Sequence, residues 1–220
     1  MGQFADLKAL LEANADKEIA RGQAAYLRNQ FKFYGIKTPQ RRSLTRNLIK
    51  AAKRAAKVEW DFLDQCWLAE QREYQYFVCD YLKAMQGQLV YADLKRLELY
   101  VQTKQWWDTI DVLDTVIGQI GLSDKRLDQL MLDWSQASDF WLRRIAIDHQ
   151  RGRKEKTKQE LLAKIIDNNL NREEFFINKA IGWALRDYSK TNPPWVKEFL
   201  ASRKNGLAKL SLREASKYLR

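Results

Sequence analysis

Apolar positions recur at helical spacing along almost the whole chain. Phe4, Leu7, Leu10 and Leu11 mark a first amphipathic helix. Trp106, Ile110, Leu113 and Ile117 fall at i, i+4, i+7 and i+11, as do Ile177, Ile181, Ala184 and Tyr188. Two-residue alternation is scarce, so few strands are expected. Start signals then divide the pattern. Thr38 before Pro39 reads as an N-cap followed by proline at the first helical position. Ser138 or Asp139 can cap a helix carrying Trp141 to His149, and Ser211 with Glu214 matches a capping box. The three prolines, Pro39, Pro193 and Pro194, all stand at helix starts, and only nine glycines occur. The pattern predicts an all-α chain of about a dozen helices joined by short loops, one domain spanning 1–220. Helix pairs recur at roughly 40 residues, the size of a HEAT unit. A curved α-solenoid of HEAT-like antiparallel helix pairs, whose concave face serves as a groove, therefore stands beside an irregular bundle as the expected architecture.

Composition narrows the classes. The 220 residues are 45% hydrophobic and 30% charged, ordinary for a globular protein. No apolar run approaches the roughly 18 residues of a membrane span, and Met1 to Asp6 lacks the basic flank and apolar stretch of a secretion signal. The expectation is a cytoplasmic protein without membrane contact. Cys66 and Cys79 lie among apolar and aromatic neighbours and read as reduced, packed thiols. With His149 the single histidine, no thiolate–imidazole metal cluster can be assembled, and no metal is expected. Chemistry here must use carboxylates, aromatics and arginines.

The net charge of +11 is unevenly placed. From Ile19 to Val58 there is no acidic residue, yet eleven basic ones occur: Arg21, Arg28, Lys32, Lys37, Arg41, Arg42, Arg46, Lys50, Lys53, Arg54 and Lys57. Residues 1–60 hold thirteen basic and five acidic residues, a net +8. Charges of one sign repel along such a stretch unless a polyanion is near, which points to nucleic-acid phosphate and a basic groove. An anionic membrane surface fits less well, because no strong apolar face opposes the basic one.

Four segments combine aromatic and charged side chains. In Trp106-Trp107-Asp108-Thr109-Ile110-Asp111, Trp106 belongs to the apolar stripe, whereas Trp107, Asp111 and Asp114 share a parallel stripe about 100° round the helix. They either line a groove or are a partly exposed aromatic with solvated carboxylates. Trp183 shares its face with Lys179 and Arg186. Gly182 beside it costs a helix up to about 1 kcal/mol, so something approaches closely, a ligand or another helix. Arg143 and Arg144 lie near a helix N-terminus, where a nearby anion relieves their repulsion by the helix dipole; the alternative is an Arg144–Asp148 pair at i, i+4. In Phe33-Tyr34-Gly35-Ile36-Lys37-Thr38-Pro39-Gln40-Arg41-Arg42, a helix start with two arginines has the makings of a phosphate site, or is simply a capped helix with solvated arginines.

The ordered series FYGIKTPQRR, KQWWDTID, FWLRRIAI, EEFFINKAIGWALRDYSKTNP and LSLREASK resembles the bacterial DNA alkylation repair family of the AlkD type along essentially the whole chain. The resemblance implies a C-shaped cradle of HEAT-like repeats that excises cationic N3- and N7-alkylpurines from duplex DNA, as a monofunctional glycosylase without cofactor. By position it implies catalytic roles for Trp107, Asp111, Arg144 and Trp183. It matches Tyr26 to an aromatic against the lesion nucleotide, and Thr38 and Arg42 to backbone contacts. Arg41, Arg46, Arg151, Lys179 and Arg186 complete the expected DNA-binding set. One departure stands out: after Arg144 the family continues in an apolar run, but Ile147-Asp148-His149-Gln150 is more polar, and Asp148 could draw Arg144 away from DNA.

The residue types suit that chemistry. An N3- or N7-alkylated purine is cationic and leaves without protonation, so the enzyme must chiefly stabilise the oxocarbenium-like sugar. Asp111 can do so and can orient the attacking water. Indole faces attract cations by about 0.5–2 kcal/mol, and Arg144 would hold a flanking phosphate. The resemblance further implies a lesion left stacked, in contrast to the base extrusion usual for glycosylases. The competing classes are a non-catalytic helical repeat that recognises damaged or distorted DNA or RNA, and a protein–protein scaffold. A monomer is the default for a cradle that wraps its ligand.

Overall fold

The computed structural model describes residues 2–219. Thirteen α-helices form among them: α1 (Gln3–Glu12), α2 (Lys17–Tyr26), α3 (Thr38–Ala55), α4 (Trp60–Leu68), α5 (Arg72–Ala84), α6 (Leu94–Gln102), α7 (Trp107–Ile120), α8 (Arg126–Trp134), α9 (Phe140–Asp148), α10 (Gln159–Asp167), α11 (Phe175–Tyr188), α12 (Pro193–Ser202) and α13 (Lys209–Ala215). Four one-turn 3-10 segments interrupt the series. No strand forms among the described residues, only an isolated parallel bridge between Lys32 and Gln71. The fold is all-α, as the periodicity predicts. None of these helices is long and apolar enough to cross a membrane.

Local chemistry fixes many of the boundaries. Asp16 accepts from the backbone N–H groups of Glu18 and Ile19 at the head of α2, and Asp139 accepts from Trp141 N–H at the head of α9. Asn192 caps α12 ahead of Pro193 and Pro194. α3 begins one residue earlier than the proline rule suggests: Lys37 is its N-cap and Thr38 its first residue. The Ser211–Glu214 capping box does not form. Both residues lie inside α13, whose N-cap is Ala208; the Ser211 hydroxyl donates to Asn178 O instead, and Glu214 is bonded to cations. A serine and glutamate three apart share a helix face as readily as they frame a helix start.

The chain divides into two compact units, one up to Leu89 and one from Val90 onward. In the first, α3 and α4 pack on α5, and α1 contacts α3 and α4. Leu7 and Leu11 of the predicted first stripe are buried there with Phe62, Leu63, Phe77 and Val78. Cys66 and Cys79 are free and buried, and burial pushes the Cys66 thiol up to about 12.

In the second unit, alternate helices form a row: α7 packs on α9, α9 on α11, and α11 on α13. α8 joins the row through α9 and also contacts α10. This alternation is the packing pattern of stacked helical pairs in an α-solenoid. Ile177, Ile181, Ala184 and Tyr188 are all buried, as their spacing predicts. α9 is the centre of the unit, with every residue from Trp141 to Gln150 buried. Two glycines let the row close. A Cβ on Gly118 would lie 1.9 Å from the His149 carbonyl oxygen, and one on Gly182 would lie 2.5 Å from Glu214 Cβ. Close helix packing, rather than a ligand, therefore explains Gly182.

Candidate active site

The row α7–α9–α11–α13 carries nearly all the chemistry expected of the second unit. Trp107 heads α7, and Asp111 follows one turn later on the same face. Asp111 is largely buried, with 17% of its side chain exposed. It accepts from Arg144 of α9, from Nε at 2.8 Å and Nη2 at 2.7 Å. Both nitrogens converge on the one oxygen Oδ1, a charge-assisted contact that anchors that side of the carboxylate and leaves Oδ2 outside the pair. Burial raises the Asp111 carboxyl above the usual aspartate range, and Arg144 opposes that rise by favouring the ionised form.

Arg144 itself is 1% exposed, and its remaining nitrogen donates to the Phe176 carbonyl at 2.6 Å. Its guanidinium carbon lies 5.3 Å from the Trp183 ring centroid. Asp111, Arg144 and Trp183 are thus brought together from three successive helices of the row. The expectation that Arg144 holds a phosphate does not fit a buried guanidinium already bonded on both edges; it is placed to hold Asp111. Nor does Asp148 draw it away: the Asp148 carboxylate is 4.0 Å from Arg144, against 2.7 Å for Asp111.

Next to this cluster lies a second, in which Arg151, expected to touch DNA, is paired instead with two fully buried acids. Asp114 and Asp148 are both inaccessible to solvent, and Arg151 approaches them at 3.4 and 3.8 Å. No hydrogen bond reaches any of their four carboxylate oxygens. Burial pushes the Asp148 carboxyl up to about 6 and raises that of Asp114 too. Asp114 lay on the Trp107–Asp111 stripe, which was the available signal. The rest of the polar run after Arg144 is partly satisfied internally, His149 Nε2 being buried without a hydrogen-bond partner. The His149 Nδ1 meets Ala146 O at 2.6 Å, burial holds the imidazole down to about 3, and the Gln150 side chain bonds Lys158. Arg143 is bound to Glu174 and Asn169. Among the described residues no group of three or more His, Cys, Asp or Glu is arranged to hold a metal ion.

Trp183 is the hub of the exposed side of this network. Besides Arg144, three cations lie within reach of its ring: Arg151 at 5.3 Å, Lys179 at 5.8 Å and Arg186 at 5.9 Å. Phe176, whose ring centroid lies 5.9 Å from the Arg144 guanidinium, joins the network to an aromatic group with Trp106, Phe140 and Trp141. A profile of the DNA alkylation repair enzymes matches residues 7–219, a span that includes every one of these side chains.

The chain belongs to the DNA alkylation repair enzyme family.

A solved structure described as a predicted DNA alkylation repair enzyme from Enterococcus faecalis shares 35% sequence identity with it, at a TM-score of 0.84, covering 93% of this chain and 96% of that one. Among curated proteins no match is found. The remaining residues expected to touch DNA in this family member lie in the first unit. Tyr26 ends α2 and is 73% exposed, Thr38 opens α3 on the surface, and Arg46 is exposed on the same helix. Arg42 is also exposed, though it bonds Asp80 of α5 at 2.9–3.0 Å. Arg41 differs from its expected role. It is buried, donates to Asp80 at 3.0 Å and stacks 4.8 Å from the Tyr76 centroid, so it braces α3 on α5. The preceding turn is likewise satisfied from within, since Glu73 accepts the N–H groups of Tyr34, Gly35 and Ile36.

Proposed function

We propose that this DNA alkylation repair enzyme is an AlkD-type, monofunctional DNA glycosylase that hydrolyses the N-glycosidic bond of cationic N3- and N7-alkylpurines in duplex DNA. The observation that carries the reading is the Asp111 carboxylate, partly open to solvent and held by Arg144, whose guanidinium also lies against the Trp183 indole. A cationic base leaves as a neutral molecule, so the barrier lies in the positive charge that develops on the sugar. An ionised Asp111, held in place before the reaction, stabilises that charge without reorganising, an effect of the kind worth roughly 3–4 kcal/mol per group in other enzymes. The same carboxylate orients the water that attacks C1′. Arg144 acts through Asp111, keeping it ionised in spite of its burial. Trp183, and Trp107 one turn from Asp111, offer aromatic faces to the sugar edge and the cationic lesion. Tyr26, Thr38, Arg42 and Arg46 serve the DNA backbone, and neither metal nor cofactor takes part.

The test is release of free 7-methylguanine from a methylated duplex under single-turnover conditions. The account expects stoichiometric base release and an abasic strand. Duplex binding without release would make the protein a damage-recognition module instead.

A further inference from the structure

Glu214 of α13 is 4% exposed and carries three cations on one carboxylate. Lys179 donates to one oxygen at 2.9 Å, and Arg186 and Lys217 donate to the other at 2.8 Å. Hydrogen bonds from Lys217 and Lys179 hold its carboxyl down at about 2. Lys179 and Arg186 lie at i−4 and i+3 from Trp183 on α11, so both flank the same indole. The contact of Gly182 with Glu214 Cβ sets α13 close enough for the carboxylate to reach them.

Four cations around one ring repel one another, and each is balanced by a buried or largely buried acid. Arg144 is matched by Asp111, Arg151 by Asp114 and Asp148, and Lys179 with Arg186 by Glu214. Donors already bonded to a buried carboxylate are poorly free to bond phosphate, because releasing them would strand that anion away from water.

We propose that Glu214 is a positioning residue for excision, a buried anion that fixes Lys179 and Arg186 as a frame around Trp183 and withholds them from the DNA backbone. For its catalytic consequence this rests on the glycosylase reading above; for the frame itself it does not.

The experiment uses full-length protein labelled with 5-fluorotryptophan, the Trp183 resonance being assigned with Trp183→Phe. Glu214→Gln keeps the shape and removes the charge. It should shift or broaden the Trp183 resonance while the other seven of the eight tryptophans keep theirs, which also reports a retained fold. Lys179→Met, at a partly exposed site, should move the same resonance, so the idea does not depend on the folding of a single variant. The salt dependence of binding to an undamaged duplex should keep its slope in Lys179→Met, whereas a lost phosphate contact would lower it by about 0.9. If wild type releases 7-methylguanine, Glu214→Gln should slow single-turnover release at least tenfold with duplex Kd within about twofold. An unmoved Trp183 resonance in both variants, or a slope reduced by about 0.9, overturns the frame. A moved resonance in a protein whose wild type releases no base leaves the frame standing and refutes the glycosylase reading alone.

Discussion

Two pairs of adjacent arginines open helices in this protein, one in each unit, and they are used differently. Arg41 and Arg42 near the start of α3 share a single carboxylate, Asp80. Arg41 is sealed beneath it at 5% side-chain exposure, while Arg42 lies over it at 61%. Arg143 and Arg144 near the start of α9 are both buried, and each has its own acid, Glu174 and Asp111. Both pairs look alike in sequence: two cations placed against the helix dipole, asking for an anion. In both the protein supplies that anion itself. What separates them is what remains reachable. α3 keeps one arginine outward at the surface, whereas α9 turns both inward and leaves Asp111, the partner of Arg144, partly in solvent. The first arrangement suits binding and the second suits chemistry.

The sharpest break in that comparison comes from Arg144→Met. Removing one partner of a buried pair leaves the other charge uncompensated and typically costs about 3–5 kcal/mol. Denaturant unfolding should show a loss of that order, and excision should vanish with it because Asp111 is no longer gripped. A cost below about 1 kcal/mol would mean that the α9 pair is as loosely held as a surface pair.

The α3 pair should split when each arginine is replaced by Met. Arg41→Met should destabilise by about 2 kcal/mol or more by stripping a buried donor from Asp80, yet leave the salt slope of duplex binding unchanged. Arg42→Met should cost less than about 1 kcal/mol, as an exposed pair, and lower the salt slope by about 0.9. Equal effects of the two on the slope would erase the distinction.

A smaller effect tests the buried acids under Arg144. The Asp148 carboxyl is raised to about 6 in the folded protein, from the ordinary value of 3.8. Between those values the folded state holds more protons than the unfolded one, so Asp148 makes stability fall as pH rises from about 4 to about 6. Asp148→Asn should remove that component, and the difference between wild-type and variant stability should change across this window in the stated direction. A difference that stays flat with pH would remove Asp148 from the titrating network.

Much of the fold was legible because it is written locally. Pro39, Pro193 and Asp139 mark helix starts within a residue, and the stripes of α1, α7 and α11 identify the buried faces. The grouping of Asp111, Arg144 and Trp183 was legible only through family resemblance, since nothing in the spacing of residues on α7, α9 and α11 reveals that those helices form a row. Partner choice was the least legible. Arg41 finds Asp80 thirty-nine residues downstream, and Glu214 finds Lys179 thirty-five residues upstream. Acid-free sequence between Ile19 and Val58 is therefore not acid-free space: Asp80, Glu70 and Glu59 reach back to Arg41, Lys32 and Lys57. The burial of Asp114 and Asp148 was illegible for a related reason, because full burial of an aspartate depends on neighbours that no local pattern encodes.

The most direct trial of the account is Asp111→Asn, which keeps the size of the side chain and removes its charge. Single-turnover release of 7-methylguanine should fall by about 100-fold or more, the scale of losing one preorganised stabilising group, with duplex Kd within about twofold of wild type. Release within about threefold of wild type would show that no carboxylate charge is needed at this position and would contradict the chemistry assigned to it.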